Sequence, residues 1–286
     1  MKLLMMPNLD KKDICACVQA IYEFSLSHSM ELLMNERYGS AFPSCPGIRQ
    51  GEFFSLLNEA DLCLAVGGDG TMIHMAKHAA KAGKPVLGVN LGRLGFLATL
   101  ESSELPLLDR LFTKEYQIEE RMLLEATLRQ GGETRRFEAL NDAVVSKGAL
   151  SRMVEVNLSN RGRQVGVYRA DGVIFATPTG STAYSLSAGG PMIDPGLSGI
   201  LLTPISAHSL FSRSIFFSDD SELTLTPAGS EEQEIFLTVD GEEAVPLPQG
   251  SELTIKKSGL AVHLINLTGK AFYEVINEKL VFRAHS

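Results

Sequence analysis

A glycine-rich turn, Gly67-Gly68-Asp69-Gly70-Thr71, separates a strand pattern from a helix pattern, and it constrains the fold of the chain more than any other segment. Residues 61–66 before the turn predict a short buried strand, and residues 71–80 after it predict a helix. Glycines at such a turn let the backbone come close to a phosphate group, and the amides of the helix N-terminus point at it. Asp69 adds a negatively charged carboxylate, which would be unfavourable in a site that only binds an anion. The turn therefore predicts a nucleotide site with chemistry beside the phosphate.

The N-terminal part of the chain alternates short apolar strands with helical patterns. Strands are predicted at 2–6, 61–66 and 85–90, and helices at 11–27, 55–60 and 71–80. Strands that alternate with helices form a parallel sheet covered on both faces. Ligands of such sheets bind at the carboxyl ends of the strands, which is where the glycine turn lies. We predict a Rossmann-like α/β domain over residues 1–100.

After a helical segment at 103–114 the pattern changes to short alternating strands. Segments 123–128 and 137–145 lie on either side of Gly131-Gly132, a dipeptide typical of a hairpin turn. Further strand patterns follow at 153–158, 164–169, 172–176, 215–217, 222–225, 235–239, 252–256 and 260–266. We predict a β-rich sandwich domain over 101–266. The tail, 267–286, contains a helical pattern at 272–280 and is expected to pack back on the first domain.

Composition excludes several classes of protein. The net charge of −8 and the pI near 5.3 argue against a nucleic-acid binder, whose affinity depends on a basic surface. No apolar run approaches the ~20 residues of a membrane span, and the apolar start at 1–6 is too short for a signal peptide. The four cysteines fit neither a disulfide framework nor a zinc pattern. We therefore expect a cytoplasmic protein that binds neither nucleic acid nor membrane.

The glycine turn by itself leaves several readings open. A tight turn with a capping aspartate is one of them. A dehydrogenase fingerprint would need a third glycine where the chain has Ile73, and no Gly-Lys-Ser/Thr sequence completes a Walker loop. His74 and His78 are four residues apart but no third ligand follows, so we predict no zinc site and no dedicated metal ligands. Kinases of other folds remain, among them phosphofructokinase-like and lipid kinases.

A second polar segment narrows the choice. Asp171-Gly172 opens an apolar strand that leads directly into Thr177-Pro178-Thr179-Gly180-Ser181-Thr182-Ala183-Tyr184-Ser185. Hydroxyl and turn-forming residues at this density do not form a core strand, and they suit hydrogen bonding to a polar ligand. Tyr184 offers a flat ring on which a base can stack. This segment predicts the binding site of the group that accepts the phosphate.

With these residues the chain resembles the bacterial NAD kinases. The resemblance follows the family's order through residues 67–71, 88–97, Asn141-Asp142, 171–191, 203–210 and 239–242. It implies phosphorylation of the adenosine-ribose 2′-hydroxyl of NAD by ATP to give NADP. It also implies a divalent cation, Mg²⁺, a homodimer or homotetramer, and an active site in the cleft between the two domains.

The resemblance also implies a role for individual residues. Asp69 matches the proton acceptor for the ribose hydroxyl, a role that phosphoryl transfer assigns to a carboxylate. Asn141 and Asp142 match the pair that contacts the adenosine, and Asp171 matches a carboxylate near the nicotinamide ribose. The further substrate-binding residues that it implies are Gly67, Gly68, Gly70, His74, Arg152, Arg169, Thr182, Ala183, Tyr184, Ser185, Ser187 and Glu242.

Two other functions fit parts of the sequence. A lipid or sugar kinase could share the glycine-aspartate turn, but it would not require the polar segment at 177–185. A non-catalytic sensor of NAD(P) could share that segment, but it would not need Asp69. Phosphorylation of NAD accounts for both features together.

Overall fold

The computed structural model describes residues 1–92, 95–98, 100–148, 153–207, 213–229 and 233–281. The chain divides into two compact units, which are 1–120 together with 262–286, and 121–261. The predicted domain boundary near residue 100 therefore differs from the point at which the units divide, after residue 120. Between these two points lie a helical segment and the first residues of a strand, and both belong to the first unit.

The first unit alternates strands and helices, as its sequence predicts. In chain order its elements are β1 (Lys2–Pro7), α1 (Ile14–Ser27), β2 (Glu31–Asn35), β3 (Arg49–Gly51), α2 (Phe53–Glu59), β4 (Leu62–Gly67), α3 (Asp69–Lys81), β5 (Val86–Asn90), β6 (Leu100–Glu101) and α4 (Arg110–Thr113), with 3₁₀ helices at Glu36–Ala41 and Ser102–Asp109. Strands β2 and β3 were not predicted, because β2 is short and β3 is exposed or half-exposed along its length.

The strands of the first unit form a parallel sheet in the order β5-β4-β1-β2-β3, with β6 beside β5. Every residue of β4 and β5 is buried, which is expected of parallel strands covered on both faces. Because neighbouring parallel strands end at the same edge, the loops after β5, β4 and β1 lie side by side. The glycine turn is the middle one of these three loops.

The second unit consists almost entirely of strands. Its elements are β7 (Gln117–Gln130), β8 (Glu133–Ala139), β9 (Asp142–Lys147), β10 (Val154–Asn160), β11 (Arg163–Ala170), β12 (Gly172–Ala176), α5 (Tyr184–Ser187), β13 (Gly199–Ile205), β14 (Ile215–Ser218), β15 (Glu222–Pro227), β16 (Ile235–Val239), β17 (Val245–Pro246) and β18 (Glu252–Asn266), with a 3₁₀ helix at Thr179–Thr182. The first residues of β7 and the last residues of β18 belong to the first unit, which ends with α6 (Phe272–Val281).

Two antiparallel layers enclose the core of the second unit. One is a six-stranded sheet in the order β14-β13-β12-β9-β16-β17. The other contains β11, β10, β15 and β18 in that order, together with the β7–β8 hairpin. Apolar side chains from both layers form a single buried cluster that includes Leu124, Val156 and Phe175. This sandwich, together with the parallel sheet of the first unit, confirms the predicted fold class.

The segment 137–145, predicted as one strand, is in fact two. Strand β8 ends at Ala139 in one layer, and β9 begins at Asp142 in the other layer. Leu140 and Asn141 form the corner at which the chain changes sheets. The prediction was wrong here because only Leu140 and Asn141 separate the two strands, and the strand pattern resumes at once with Ala143-Val144-Val145. The corner places Asn141 and Asp142 at the start of β9, a central strand of the six-stranded sheet.

Candidate active site

The glycine turn of the first unit is tight at its start and open at its end. A Cβ on Gly67 would lie 2.4 Å from the Thr71 hydroxyl oxygen, so only glycine fits there. Gly68 precedes α3 in an extended conformation, and no side chain caps the helix. A Cβ on Gly70 would meet no heavy atom within 4 Å. The first turn of α3 therefore has open space beside Gly70, and binding of a phosphate there stays a prediction.

Asp69 has a structural role that the sequence did not indicate. Its carboxylate accepts hydrogen bonds from the backbone N–H groups of Phe96, Leu97 and Ala98, at 2.9, 3.1 and 3.2 Å. A Cβ on Gly95 would lie 2.0 Å from Asp69 Oδ1, so this glycine is needed for the close approach. A carboxylate has about four acceptor positions. Three donors thus fix the Asp69 carboxylate and leave it capacity for one more.

Lys11 is a charged neighbour of the glycine turn that sequence reasoning missed. It lies in the loop after β1, and its ammonium nitrogen is 3.9 Å from where a Cβ on Gly68 would be. The same nitrogen is 3.7 Å from a Cβ placed on Gly92, in the loop after β5. Lys11 lies close to both glycines because β4 has β1 and β5 as its neighbours in the sheet. The sequence alone does not give these neighbours, so the position of Lys11 could not be predicted from it. Lys11 brings a positive charge to the predicted phosphate site.

Four of the predicted substrate residues line one cavity in the second unit. They are Asn141, Asp142, Ala183 and Tyr184, and the cavity has a volume of about 340 Å³. The remaining lining residues are Val144, Ser146, Thr238, Asp240 and Gly241. Asp142, Val144 and Ser146 alternate along β9 and therefore share one face of the strand. The cavity combines an amide, carboxyl groups, hydroxyl groups and an aromatic ring, which suits a nucleoside.

The polar segment after β12 is bonded to the corner at Leu140 and Asn141. Thr177 Oγ1 donates to the Leu140 carbonyl at 2.6 Å and accepts from the Gly180 N–H at 2.9 Å. The Thr177 N–H donates to the Asn141 carbonyl at 2.9 Å. A Cβ on Gly180 would lie only 1.9 Å from that carbonyl oxygen. These contacts place Tyr184 and Asn141 beside the same cavity.

Asp142 is an unusual carboxyl group. Asp142 is buried, with only 5% of its surface exposed. Burial, followed by the negative charge of Asp240, raises the pKa of Asp142 to about 7. Near neutral pH this group can therefore exist in both forms, and the ionised form is the stronger acceptor of hydrogen bonds from hydroxyl groups. Tyr184 is 47% exposed at the same cavity, which leaves its ring free for stacking.

The predicted hydroxyl residues have different environments. Ser185 is fully buried, and its hydroxyl oxygen lies 2.8 Å from that of Thr203. The Thr182 hydroxyl donates to the Thr179 carbonyl at 3.1 Å, while Ser187 is exposed. None of these three residues lines the 340 Å³ cavity. Their contact with a nucleotide stays a prediction.

Three further charged residues of the prediction, Arg169, Asp171 and Glu242, do not line this cavity. Asp171 pairs with Lys147 at 2.7 Å, and Arg169 pairs with Glu155 at 2.5 Å on the neighbouring strand. Glu242 lines a different cavity of about 360 Å³, together with Arg135. Arg152 lies outside the described residues.

His74 lies on the exposed side of α3, and its ring centre is 4.9 Å from that of His78. In the described parts of the chain, no group of three or more histidine, cysteine or acidic side chains is arranged to hold a metal ion. The same residues include no helix that is long and apolar enough to cross a membrane.

Family models match both units of this chain. The ATP-NAD kinase N-terminal domain matches residues 5–116, and the ATP-NAD kinase C-terminal domain matches residues 140–267. The chain is 39% identical over 285 residues to an NAD kinase of Caldanaerobacter subterraneus subsp. tengcongensis, with 99% of both chains covered. It is 46% identical over 226 residues to an NAD kinase of Heliobacterium modesticaldum, covering 78% of this chain and 80% of the relative.

Solved structures have the same fold. A yeast NADH kinase complexed with NADH has a TM-score of 0.87 at 24% identity, covering 100% of this chain and 89% of its own. An NAD kinase from Archaeoglobus fulgidus in complex with ATP has a TM-score of 0.71 at 23% identity, covering 96% and 98%. The fold and the two matched domains define a nucleotide phosphotransferase. The chain belongs to the NAD kinase family.

Proposed function

We propose that this chain transfers the γ-phosphoryl group of ATP to the 2′-hydroxyl of the adenosine ribose of NAD, giving NADP and ADP. Membership of the family supports phosphorylation of NAD. The main observation that supports NAD as the acceptor is the cavity lined by Asn141, Asp142, Ala183 and Tyr184, whose chemistry suits a nucleoside. A lipid or sugar acceptor would not account for an aromatic ring, an amide and carboxyl groups around one cavity.

The acceptor residues have distinct roles in this proposal. The Asn141 amide and the ionised Asp142 carboxylate bind the adenosine, since an amide both donates and accepts and a carboxylate accepts from ribose hydroxyls. The Tyr184 ring stacks on the base. The proposal keeps roles in nucleotide binding for His74, Arg152, Arg169, Asp171, Thr182, Ser185, Ser187 and Glu242, as the resemblance implies.

Asp69 is the proposed base. It takes the proton of the 2′-hydroxyl while that oxygen forms a bond to the γ-phosphorus and ADP leaves. The fixed position of its carboxylate supports this role, because phosphoryl transfer depends mainly on positioning and charge neutralisation. Gly67, Gly68 and Gly70 admit the donor phosphates to the backbone amides, and Lys11 neutralises part of their charge.

Mg²⁺ completes the proposed donor site. The described residues offer no dedicated cluster of metal ligands, and Asp69 has one acceptor position left. This donor set fits an ion held mainly by the phosphates, because Mg²⁺ commonly binds one or two carboxylates plus substrate phosphates. When bound, the ion supplies neutralisation of charge on the β- and γ-phosphates.

We also infer a homodimer or homotetramer of the 31.0 kDa chain, located in the cytoplasm. A reducing compartment is supported by the four cysteines, all described and none in a disulfide. Light scattering would measure the mass, and a value near that of one chain would contradict the assembly.

The activity is tested by incubating the protein with NAD, ATP and Mg²⁺ and measuring NADP with an NADP-specific dehydrogenase. Formation of NADP is expected. Transfer to lipid or sugar acceptors in place of NAD would favour the rival kinase. Tight binding of NAD without turnover, with any donor, would favour a sensor.

The role of Asp69 is tested by Asp69→Asn. Turnover should fall by about 10²-fold or more because the hydroxyl loses its proton acceptor. The amide cannot accept three hydrogen bonds as the carboxylate does, so thermal stability and NAD binding must be measured alongside. If Asp69→Asn loses turnover but still binds NAD, the role of Asp69 as the base is supported. Near-normal turnover would rule it out.

A further inference from the structure

We propose that Asp240 is a positioning residue for NAD, whose carboxylate holds the backbone of Leu140, Asn141 and Asp142 so that Asn141 and Asp142 face the nucleotide cavity. This inference rests on the proposed function, and it assigns to Asp240 a role in binding the acceptor and none in the chemical step.

The contacts of Asp240 are made with three consecutive amides. Its Oδ2 accepts from the Leu140 N–H at 2.9 Å, and its Oδ1 accepts from the N–H groups of Asn141 and Asp142 at 2.8 and 3.1 Å. The backbone N–H of Asp240 in turn donates to the Asp142 carbonyl at 2.9 Å. Hydrogen bonds to an ionised acceptor are about twice as strong as neutral ones. One side chain thus fixes the whole corner between the two sheets.

The corner needs such a partner because of where it lies. Leu140 is fully buried and Asp142 is 5% exposed, so their N–H groups have little access to water. Leu140 and Asn141 lie between β8 and β9 and are outside both strand ladders. Buried donors without an acceptor are costly. The Asp240 carboxylate supplies the acceptor that neither sheet provides.

The turn after β16 is built to bring the carboxylate back to this corner. Asp240 has φ 50° and Gly241 has φ 72°, both in the left-handed region. Aspartate is among the few residues with a side chain that adopt this region readily. On the opposite side, Thr177 and Gly180 contact Leu140 and Asn141, as described above. The backbone of the corner is therefore held from two directions.

Asp240 also acts on Asp142 through its charge. The titratable side chains that line the cavity are Asp142 from β9, Asp240 from the turn after β16, and Tyr184 from α5; the described lining contains no cation. The negative charge of Asp240 adds to burial in raising the pKa of Asp142. If ribose hydroxyls donate to the ionised form of Asp142, NAD binds more tightly as the pH rises through 7. Removing the charge of Asp240 moves this transition to lower pH.

The test compares Asp240→Asn with Glu243→Gln, which removes an exposed carboxylate from the same loop. We expect Asp240→Asn to raise the KM for NAD about tenfold or more, because misplaced binding groups lose much of their effect. The kcat and the KM for ATP should stay within about threefold, and the midpoint of the KM–pH profile should move to lower pH. Glu243→Gln should match the wild type in all four measurements.

Several results would overturn the proposal. They are an unchanged KM for NAD, a fall in kcat without a change in KM, or a pH midpoint that stays in place although KM rises. If Asp240→Asn does not fold, Asp240→Glu replaces it, since it keeps the charge but displaces the carboxylate. That variant should raise the KM for NAD and leave the pH midpoint unchanged; a normal KM would contradict the proposal.

The test of Asp240 can fail or succeed independently of the proposed kinase activity. If the wild type makes no NADP, the proposed activity fails, and calorimetric titration with NAD takes the place of kinetics. Weaker binding of NAD by Asp240→Asn than by Glu243→Gln would then still support Asp240 as a positioning residue. Equal binding by the two variants would reject it.

Discussion

Asp69 and Asp240 use their carboxylates in the same way at two places in the chain. Each accepts hydrogen bonds from three consecutive backbone amides, 96–98 in one case and 140–142 in the other. From sequence alone, Asp69 is a candidate base and Asp240 is part of a motif. In the structure both also organise a loop beside the predicted site. Variants of either residue therefore need a measurement of folding next to the measurement of activity.

Gly70 allows function and stability to be separated at a single residue. Gly70→Ala should stabilise the free protein by up to about 1 kcal/mol, because alanine is a better helix former and its Cβ meets no atom within 4 Å. The same Cβ should obstruct a phosphate beside α3 and lower kcat/KM for ATP by about tenfold or more. Thermal unfolding and steady-state kinetics would measure the two effects.

The control for this prediction is Gly259→Ala, in β18, where a Cβ also meets open space. It should leave kcat/KM unchanged. Full activity of Gly70→Ala would mean that no phosphate approaches the first turn of α3.

At the scale of elements, the sequence predicts best those strands, helices and turns that are specified by the residues within them. The hairpin between β7 and β8 is confirmed, because Gln130 pairs with Glu133 and both intervening glycines have positive φ. Strand β4 and helix α3 also lie where the apolar spacing predicts them. The change of sheet at Leu140 and Asn141 was missed because a strand pattern resumes directly after Asn141-Asp142, so the polar pair did not stand out as a break.

The hairpin turn offers a prediction at this scale. Gly131 has φ 57°, which asparagine tolerates and valine does not. Gly131→Asn should be nearly neutral, whereas Gly131→Val should destabilise the protein by about 1–2 kcal/mol. Denaturant unfolding would measure both. Equal stability of the two variants would show that the turn conformation is not required, and a loss of NADP formation in either would link the hairpin to the site.

At the scale of the whole molecule, Asp142 should make stability depend on pH. Its pKa of about 7 in the folded chain is above the 3.8 that is ordinary for an aspartate, so the folded state holds the proton to higher pH. Stability from this group is therefore greatest below pH 4 and falls as the pH rises towards 7. Asp142→Asn cannot ionise, so its stability relative to wild type should increase by roughly 2–3 kcal/mol between pH 5 and pH 8.

Thermal unfolding across this range, with Glu243→Gln as the control, would test the prediction. A difference between Asp142→Asn and wild type that does not change with pH would mean that Asp142 titrates at the same pH in the folded and unfolded chain. A difference that shrinks as the pH rises would mean that the folded state stabilises the charged form.

The sequence by itself determined the alternation of strands and helices, the glycine turn, the polar segment before Tyr184 and the family. These are local patterns, and they follow from backbone preferences and from the spacing of apolar residues. Only the tertiary structure decided that Lys11 lies beside Gly68, that Glu242 lines a different cavity from Asn141, and which amides Asp69 and Asp240 hold. Those amides are 27–29 and 98–100 residues away along the chain. Contacts over such separations depend on how the strands are ordered and packed, because no local preference of either residue specifies its partner.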